Sequence, residues 1–524
     1  MNHIELFSGC GGLSLGLKKA GFELVLANEL SPMAAETFAF NFFNENLEQL
    51  ANDKQDPVHT FWLKSSEPTL KARLRENPFE FPPVDGEGFT NLPKDTAQLK
   101  GKLVVGNIVE LNRLLDSNKV LAGQLQTAFG QYGGLDLVSG GPPCQSFSMA
   151  GLRKKDCEKN TLPWEFAKFV DKTKPKLAML ENVTGILRAF KDESGDSFHA
   201  WYEVAKVFAS IDYIPLCLHI NARFAGIAQN RPRFILIAVR RDHFEKISRN
   251  FTENSADSRL FSPSIKFLEL IKEHGSDLPF GHLKYFDAAN QKDRELFEQS
   301  FLANLISASS ATVKDAIDDL KKNNPSEQSQ YVKDLNLTFG CSASPYELFN
   351  HNFRNNSEIV KRRFRLYQIL QEIGDKKVTK QIFSILKGDA KNLSDDAWSK
   401  CSKYSFLMKN NEFVVFSTKN KFVGYLAEHP TKKQTQKALD SRSPAPAALS
   451  IPDDACHYDI NELRVLTVRE MARIQSFPDN FVFRSKVTTG GKMRSFEVPQ
   501  YTQVGNAVPP LLGLKLGMCL SKLL

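Results

Sequence analysis

Seven short apolar runs punctuate residues 1–241: "IELFSG", "FELVLANE", "KLVVGNI", "LDLVSGG", "KLAMLENV", "PLCLHIN" and "RFILIAVRR". Each is nearly continuous rather than alternating, the pattern of strands covered on both faces. Stretches at helical spacing lie between them, at 32–44, 108–132 and 196–211. Such alternation predicts a doubly wound, mostly parallel α/β sheet. Residues 43–100, rich in Pro, Asn and charge, are too long for a simple connection and predict an inserted surface excursion. Residues 242–462 lose the strand rhythm and predict a second, smaller domain, with "SRSPAPAALSIPDD" as a linker leading out of it. Helical spacing returns within 463–524, in "LTVREMARIQSF", stopped by Pro478, and in "YTQVGNAVPPLLGLKLGMCLSKLL". This last stretch is expected to rejoin the first domain.

Composition narrows the class. A chain of 524 residues, 42% hydrophobic and 24% charged, has room for two globular domains. A net charge of +8 permits a polyanionic partner without requiring one. No apolar run is long enough to span a bilayer, and residues 1–30 lack a signal-peptide layout. The eight cysteines include no C-x-x-C pair and suggest no disulfide framework, so a reduced, cytoplasmic protein is expected.

Two segments carry candidate chemistry. In "ELFSGCGGLSLGL", Gly9, Gly11 and Gly12 stand between a strand and a helix, where the backbone can approach a ligand facing the helix N-terminus. It is not the dinucleotide fingerprint, whose third glycine would fall at Ser14, and a plain strand-helix turn is an equal alternative. Glu29 ends the second strand, where a carboxylate can accept both ribose hydroxyls, or simply face solvent. Together these features favour an adenosine-containing ligand, whether a dinucleotide or S-adenosylmethionine. In "SGGPPCQSFSMAG", prolines hold Cys144 stiffly at a strand end, as a nucleophile requires, although a buried structural thiol is the commoner fate. Glu181 in "ENV" and Arg231 and Arg233 in "QNRPRF" should emerge at neighbouring strand ends, making a site able to attack, protonate and clamp a polar ring.

These segments, in this order, resemble the DNA (cytosine-5) methyltransferase family of bacterial type. "ELFSGCGG" is similar to its first motif, "GGPPCQSFS" to its nucleophile motif, "ENV" to its acid motif and "QNRPRF" to its arginine motif. "LTVREMARIQSFPDNF" and "QVGNAVPP" resemble its two closing motifs. The resemblance covers residues 3–240 and about 464–524.

The resemblance implies a Rossmann-like methyltransferase domain at 1–241, a target-recognition domain at 242–462 and a closing segment at 463–524. It implies thiolate attack by Cys144 on C6 of a flipped cytosine, activating C5 to take the methyl group of S-adenosylmethionine. Glu181 would hold or protonate N3. Arg233 and Arg231 would bind the O2 side and lower the thiol pKa. No metal is needed. Cofactor contacts carry over to Phe7, Gly9, Gly11, Leu13, Glu29, Leu30, Ile108 and Asn506. The third strand departs from the pattern: "GNI" puts Asn107 where the family has an aspartate on the adenine amino group. Ser146, Ser148, Arg153 and Lys154 follow the nucleophile and are candidates for phosphate contact, the two basic ones equally a solvated charge run.

The implied partner is double-stranded DNA, read at a specific sequence. A cognate restriction endonuclease acting separately, or an orphan role, fits equally. No membrane is implied, and a cytoplasmic, nucleoid-associated monomer is expected, with no large regulatory N-terminus. The tRNA-methylating branch of the family is the nearest alternative, but its Cys-Phe-Thr element is absent. In the second domain, "HNFRNNSEIVKRRFR" is either a phosphate-binding patch or one exposed helix face.

Overall fold

All seven apolar runs are strands of one nine-stranded sheet. The computed structural model describes the chain except residues 84–85, 144–160, 192–196, 342–346, 432–435 and 448. We label the sheet's strands β1 (Asn2–Leu6), β2 (Glu23–Glu29), β3 (Thr60–Trp62), β4 (Lys102–Val105), β5 (Leu137–Gly140), β6 (Leu177–Val183), β7 (Tyr213–Asn221), β8 (Pro232–Arg240) and β9 (Phe286–Asp287). Their order is β9-β7-β8-β6-β5-β1-β2-β4-β3. Every pairing is parallel except the two made by β8. The fold is the expected doubly wound α/β sheet. Its consequence is that the carboxyl ends of β1 to β6 and the amino end of β8 share one edge, where such sheets gather their ligands.

Two strands carry no signal in the sequence. β3, inside the 43–100 excursion, adds an outer edge beside β4. β9 pairs with β7 at only two positions. The helical stretch expected at 108–132 is broken: helices at Ile108–Ser117 and Lys119–Gln126 meet at Asn118, whose side chain caps the second.

The chain divides into two compact units, residues 1–310 with 481–524, and residues 311–480. The boundaries expected from sequence fall at 241/242 and 462/463. Residues 242–310 join the first unit because the helix Ala256–His274 contributes Leu260, Phe261, Phe267, Leu268 and Ile271 to that unit's core. The helix of "LTVRE", Val468–Ile474, lies in the second unit. A Thr467–Glu470 capping box starts it, and all seven of its residues are buried. Arg473 on that helix pairs with Asp479 at 2.7 Å and with Asp319 at 2.7 Å, both inside the same unit.

The second unit also decides the fate of the basic stretch. Arg362 and Arg365, on the helix Glu358–Ile373, are buried, with Nε donating to His429 Nε2 at 2.9 Å and to the Ser405 carbonyl at 3.0 Å respectively. Arg354 is exposed. Two of these arginines are therefore internal fastenings rather than a phosphate-facing surface.

Within the first unit, α1 (Gly12–Lys19) packs directly on the last long helix, Pro510–Leu520. A Cβ at Gly16 would fall 2.4 Å from the Leu514 amide nitrogen and 2.4 Å from the Pro510 carbonyl oxygen. Only a residue without a side chain permits this approach, which brings the closing segment onto the glycine loop. Gly16→Ala should destabilise the unit by about 2–3 kcal/mol through backbone displacement. Gly123→Ala, in a helix where the added methyl meets nothing within 4 Å, should stabilise by roughly 0.5–1 kcal/mol. Chemical denaturation of both variants measures the contrast, and equal effects would refute the packing argument.

Candidate active site

The glycine loop and Glu29 meet at the edge of the sheet. Glu29 ends β2, and its two oxygens accept from the Gly9 amide at 2.8 Å and the Ser31 amide at 2.8 Å. These bonds fix the carboxylate's plane while leaving each oxygen a second lone pair for a hydroxyl. Burial raises its pKa and the amide bonds oppose that rise. Phe7, a non-glycine residue at φ 55°, and Gly9, also at φ 55°, turn the chain off β1. A Cβ at Gly9 would meet nothing within 4 Å, so open space adjoins the carboxylate. Gly11 caps α1 at φ 94° with Phe42 pressed against it. An open cradle of backbone beside an oriented carboxylate fits an adenosine moiety.

Other residues expected at this end divide. Leu30 is half-buried beside Glu29. Leu13 and Ile108 are buried in the hydrophobic core, 1% and 3% exposed, and their side chains pack there. Asn107 caps the helix Ile108–Ser117, its Oδ1 accepting from the Val109 amide at 2.9 Å. The amide oxygen expected to receive an adenine amino group is thus already engaged by one donor. Asn506 is exposed at the end of the helix Gln500–Asn506. That helix reaches the glycine loop, since the Cys10 thiol donates to the Gln503 carbonyl at 3.8 Å.

The second half of the edge gathers the acid and the arginine. In the antiparallel pairing of β6 with β8, Arg233 stands opposite Val183, so Glu181 is its diagonal neighbour on the same face. Arg233 Nε lies 2.6 Å from Glu181 Oε1, a charge contact whose angle is too bent for a hydrogen bond. Both side chains are about nine-tenths buried. A Cβ at Gly141 would stand 3.0 Å from Glu181 Oε2, so the chain leaving β5 passes directly over this carboxylate. Arg231 is elsewhere: its Nη2 donates to the carbonyls of Gly505 at 2.8 Å and Ala507 at 3.0 Å. Burial, with the Arg233 charge beside it, pushes the Arg231 pKa well below its ordinary value.

Cys144, Ser146, Ser148, Arg153 and Lys154 lie outside the described residues; Pro143 is the last one described before the cysteine. Asn182 holds the approach to Cys144, its Nδ2 donating to the Pro142 carbonyl at 3.0 Å. Burial pushes the Cys10 thiol up to about 12, the Cys519 thiol up to about 12 and the Cys401 thiol up to about 11. Cys217 and Cys456 are shifted the same way by the same cause. These five are poor thiolates.

Sequence reasoning missed three positions. Asn182 sits inside "ENV" beside the carboxylate, and an uncharged carboxamide there carries no signal of its bond to the Pro142 carbonyl. Gly141 carries no chemistry of its own in the sequence, yet the carboxylate beneath it leaves little room for a side chain. Gln503 lies in "QVGNAVPP"; its Oε1 accepts from Thr37 Oγ1 at 2.6 Å and its Nε2 donates to the Met33 carbonyl at 3.1 Å, tying the closing segment to the helix Pro32–Phe43.

The profile of the C-5 cytosine-specific DNA methylase family matches residues 1–61 and 122–521. The type II methyltransferase M.DdeI of Desulfomicrobium norvegicum is 24% identical over 519 residues, which cover 98% of this chain and 86% of its own. The type II methyltransferase M1.HphI of Haemophilus parahaemolyticus is 24% identical over 518 residues, 98% of this chain and 84% of its own. Among solved structures, a prophage-encoded E. coli chain provisionally named a DNA modification methyltransferase is 19% identical over 100% of this chain and 99% of that one, with a TM-score of 0.45.

Beneath the glycine loop, Glu5 of β1 is fully buried and accepts a hydrogen bond from the Ser14 hydroxyl. Burial raises its pKa from 4.5 to about 8. A folded pKa above the unfolded one means that the native state holds the extra proton. The stability this confers is complete below pH 4.5 and is lost as pH rises through about 8. Relative to wild type, Glu5→Gln should gain on the order of 3 kcal/mol between pH 5 and pH 8 in urea titrations. A difference independent of pH would show Glu5 to be ionised throughout.

Proposed function

The chain belongs to the C-5 cytosine-specific DNA methylase family and is a DNA (cytosine-5) methyltransferase, and from that premise we propose how its residues carry the reaction. Cys144 is the nucleophile. Its thiolate adds to C6 of a cytosine extruded from the duplex, forming a sulfur-carbon bond and turning C5 into an enamine carbon. Glu181 holds the cytosine N3 edge and supplies or shares its proton, so that the negative charge developing on the ring is neutralised. Arg233 binds the O2 side and fixes Glu181 in the process. S-adenosylmethionine, when bound, supplies the electrophilic methyl group that C5 takes up. The C5 proton then leaves, Cys144 is eliminated and the ring is aromatic again.

The remaining contacts follow from the same reading. Glu29 accepts the ribose hydroxyls, and the backbone at Phe7, Gly9 and Gly11 admits the rest of the cofactor, with Leu30, Asn107 and Asn506 at its margins. Leu13 and Ile108 support that cradle from the core. Arg231 acts at a distance, holding the turn at 505–507 against the sheet. Ser146, Ser148, Arg153 and Lys154 contact the phosphates flanking the extruded base. The DNA is double-stranded and is recognised at one sequence, as suits a modification enzyme working beside a restriction endonuclease or alone. No helix among the described residues is long and apolar enough to cross a membrane.

The observation that carries this reading is the Glu181–Arg233 pair at 2.6 Å, lying beneath the chain that enters Cys144. Expression in a host without cytosine methylation, followed by bisulfite sequencing, should reveal 5-methylcytosine at one defined DNA sequence. Glu181→Gln should lower turnover about 100-fold with the fold intact. Methyl transfer to tRNA but not to duplex DNA, or full activity in Glu181→Gln, would overturn the assignment.

A further inference from the structure

Residues 62–121 lie outside the family profile, which resumes at 122. Part of that stretch is built against both strand ends that adenosine would use. β3 runs parallel to β4 and therefore leaves the sheet at the same edge, with the Leu63 amide still donating to the Val105 carbonyl at 2.9 Å. Leu63 then packs on Gly106, where an added Cβ would stand 2.8 Å from the Leu63 Cβ. Asn107 is the next residue.

The loop that follows β3 closes on itself. The Trp62 amide donates to Asn91 Oδ1 at 2.6 Å, and the Trp62 carbonyl accepts from Thr90 Oγ1 at 2.9 Å and from the Asn91 amide at 3.2 Å. Its interior is filled by the Arg73 guanidinium, 4.8 Å from the Trp62 ring centroid and 4.1 Å from that of Phe89. Trp62, Leu70 and Leu74 share one apolar cluster with Ala35, Phe38 and Ala39 of the helix Pro32–Phe43.

Two ion pairs lead outward from this loop. Lys64 Nζ lies 3.5 Å from Glu110 Oε2, in the first turn of the helix that Asn107 caps. Arg75 donates to Glu36, buried on the helix Pro32–Phe43, which begins two residues after Leu30. Its Nη2 also lies 3.6 Å from Glu48. Glu36 carries a pKa raised by burial to about 7, and the Arg75 charge opposes that rise. One loop thus grips the helix starts behind both Leu30 and Asn107, on adjacent strands β2 and β4.

We propose that residues 63–83 and 86–91 form a brace for the adenosine end of the cofactor site, with Lys64 and Arg75 as positioning residues that hold the Asn107 and Leu30 turns at the spacing the purine requires. The inference rests on the reading of that end as the S-adenosylmethionine site. It also accounts for Asn107: a neutral amide oxygen accepts from a purine amino group more weakly than a carboxylate does, and a rigid frame compensates by removing the cost of ordering both turns on binding.

The test is the double variant Lys64→Met, Arg75→Met, measured beside the conservative pair Lys64→Arg, Arg75→Lys in the full chain. In the first, KM for S-adenosylmethionine should rise about tenfold or more, while kcat at saturating cofactor and KM for DNA change less than about twofold. The conservative pair should restore the cofactor KM. An unchanged cofactor KM in the Met variant would overturn the brace, as would parallel losses in cofactor KM, DNA KM and melting temperature. Calorimetry separates the two levels. Wild-type protein that binds no S-adenosylmethionine overturns the cofactor reading and the brace with it, whereas equal binding by wild type and the Met variant overturns the brace alone.

Discussion

The register between β6 and β8 is the constraint on which the site depends. Because Arg233 stands opposite Val183, the guanidinium and the Glu181 carboxylate share one face. A slip of one residue would send Arg233 to the other side of the sheet and leave a buried carboxylate unpaired. That register is held on both flanks, since β8 also pairs with β7 along nine positions, from Pro232↔Asn221 to Arg240↔Tyr213. β8 is the one strand running against the rest, and this is why an arginine near its start reaches the same edge as a glutamate near the end of β6. Gly141 and Asn182 then bring the chain entering Cys144 over the pair.

A second constraint ties the chain's early and late segments together. Gly16 lets the helix Pro510–Leu520 lie against α1 at backbone distance, and Gln503 and Cys10 complete the seam. Arg231 adds a fastening from the turn before β8, through the carbonyls of Gly505 and Ala507. The glycine-loop end and the Glu181–Arg233 end of the edge are thus parts of one unit, connected by hydrogen bonds to the same closing segment. A methyl donor and an acceptor base have to meet within bonding distance, and a shared rigid frame supplies that alignment.

Much of this was legible in the sequence because burial on both faces writes itself as continuous apolar runs. β1, β2, β4, β5, β6, β7 and β8 are all of that kind. β3 and β9, three and two residues long, are too short for any periodicity to register. Domain boundaries were harder. The helix Ala256–His274 is lysine- and serine-bearing on one side and reads as part of a polar region, yet its other side completes the first core. The arginines of "KRRFR" show the converse difficulty, since a buried, hydrogen-bonded guanidinium and a phosphate-binding one are the same letter. In the site, residues that carry charge stood out, whereas Gly141, Asn182 and Gln503 act through a missing Cβ or a carboxamide bond. No charge pattern marks such positions. The brace leaves no mark on the sequence, because its ion pairs join residues 39 and 46 positions apart.

The central claim is a reversible bond between the Cys144 sulfur and cytosine C6. A duplex carrying 5-fluorocytosine at the target position tests it most directly, because fluorine at C5 cannot leave as a proton does and the adduct accumulates. Incubated with S-adenosylmethionine, the wild-type protein should form a denaturant-resistant complex with that duplex, its mass equal to protein plus methylated DNA, and Cys144→Ser should form none. A trapped complex of the same yield from Cys144→Ser, or undiminished methylation by that variant, would contradict the account.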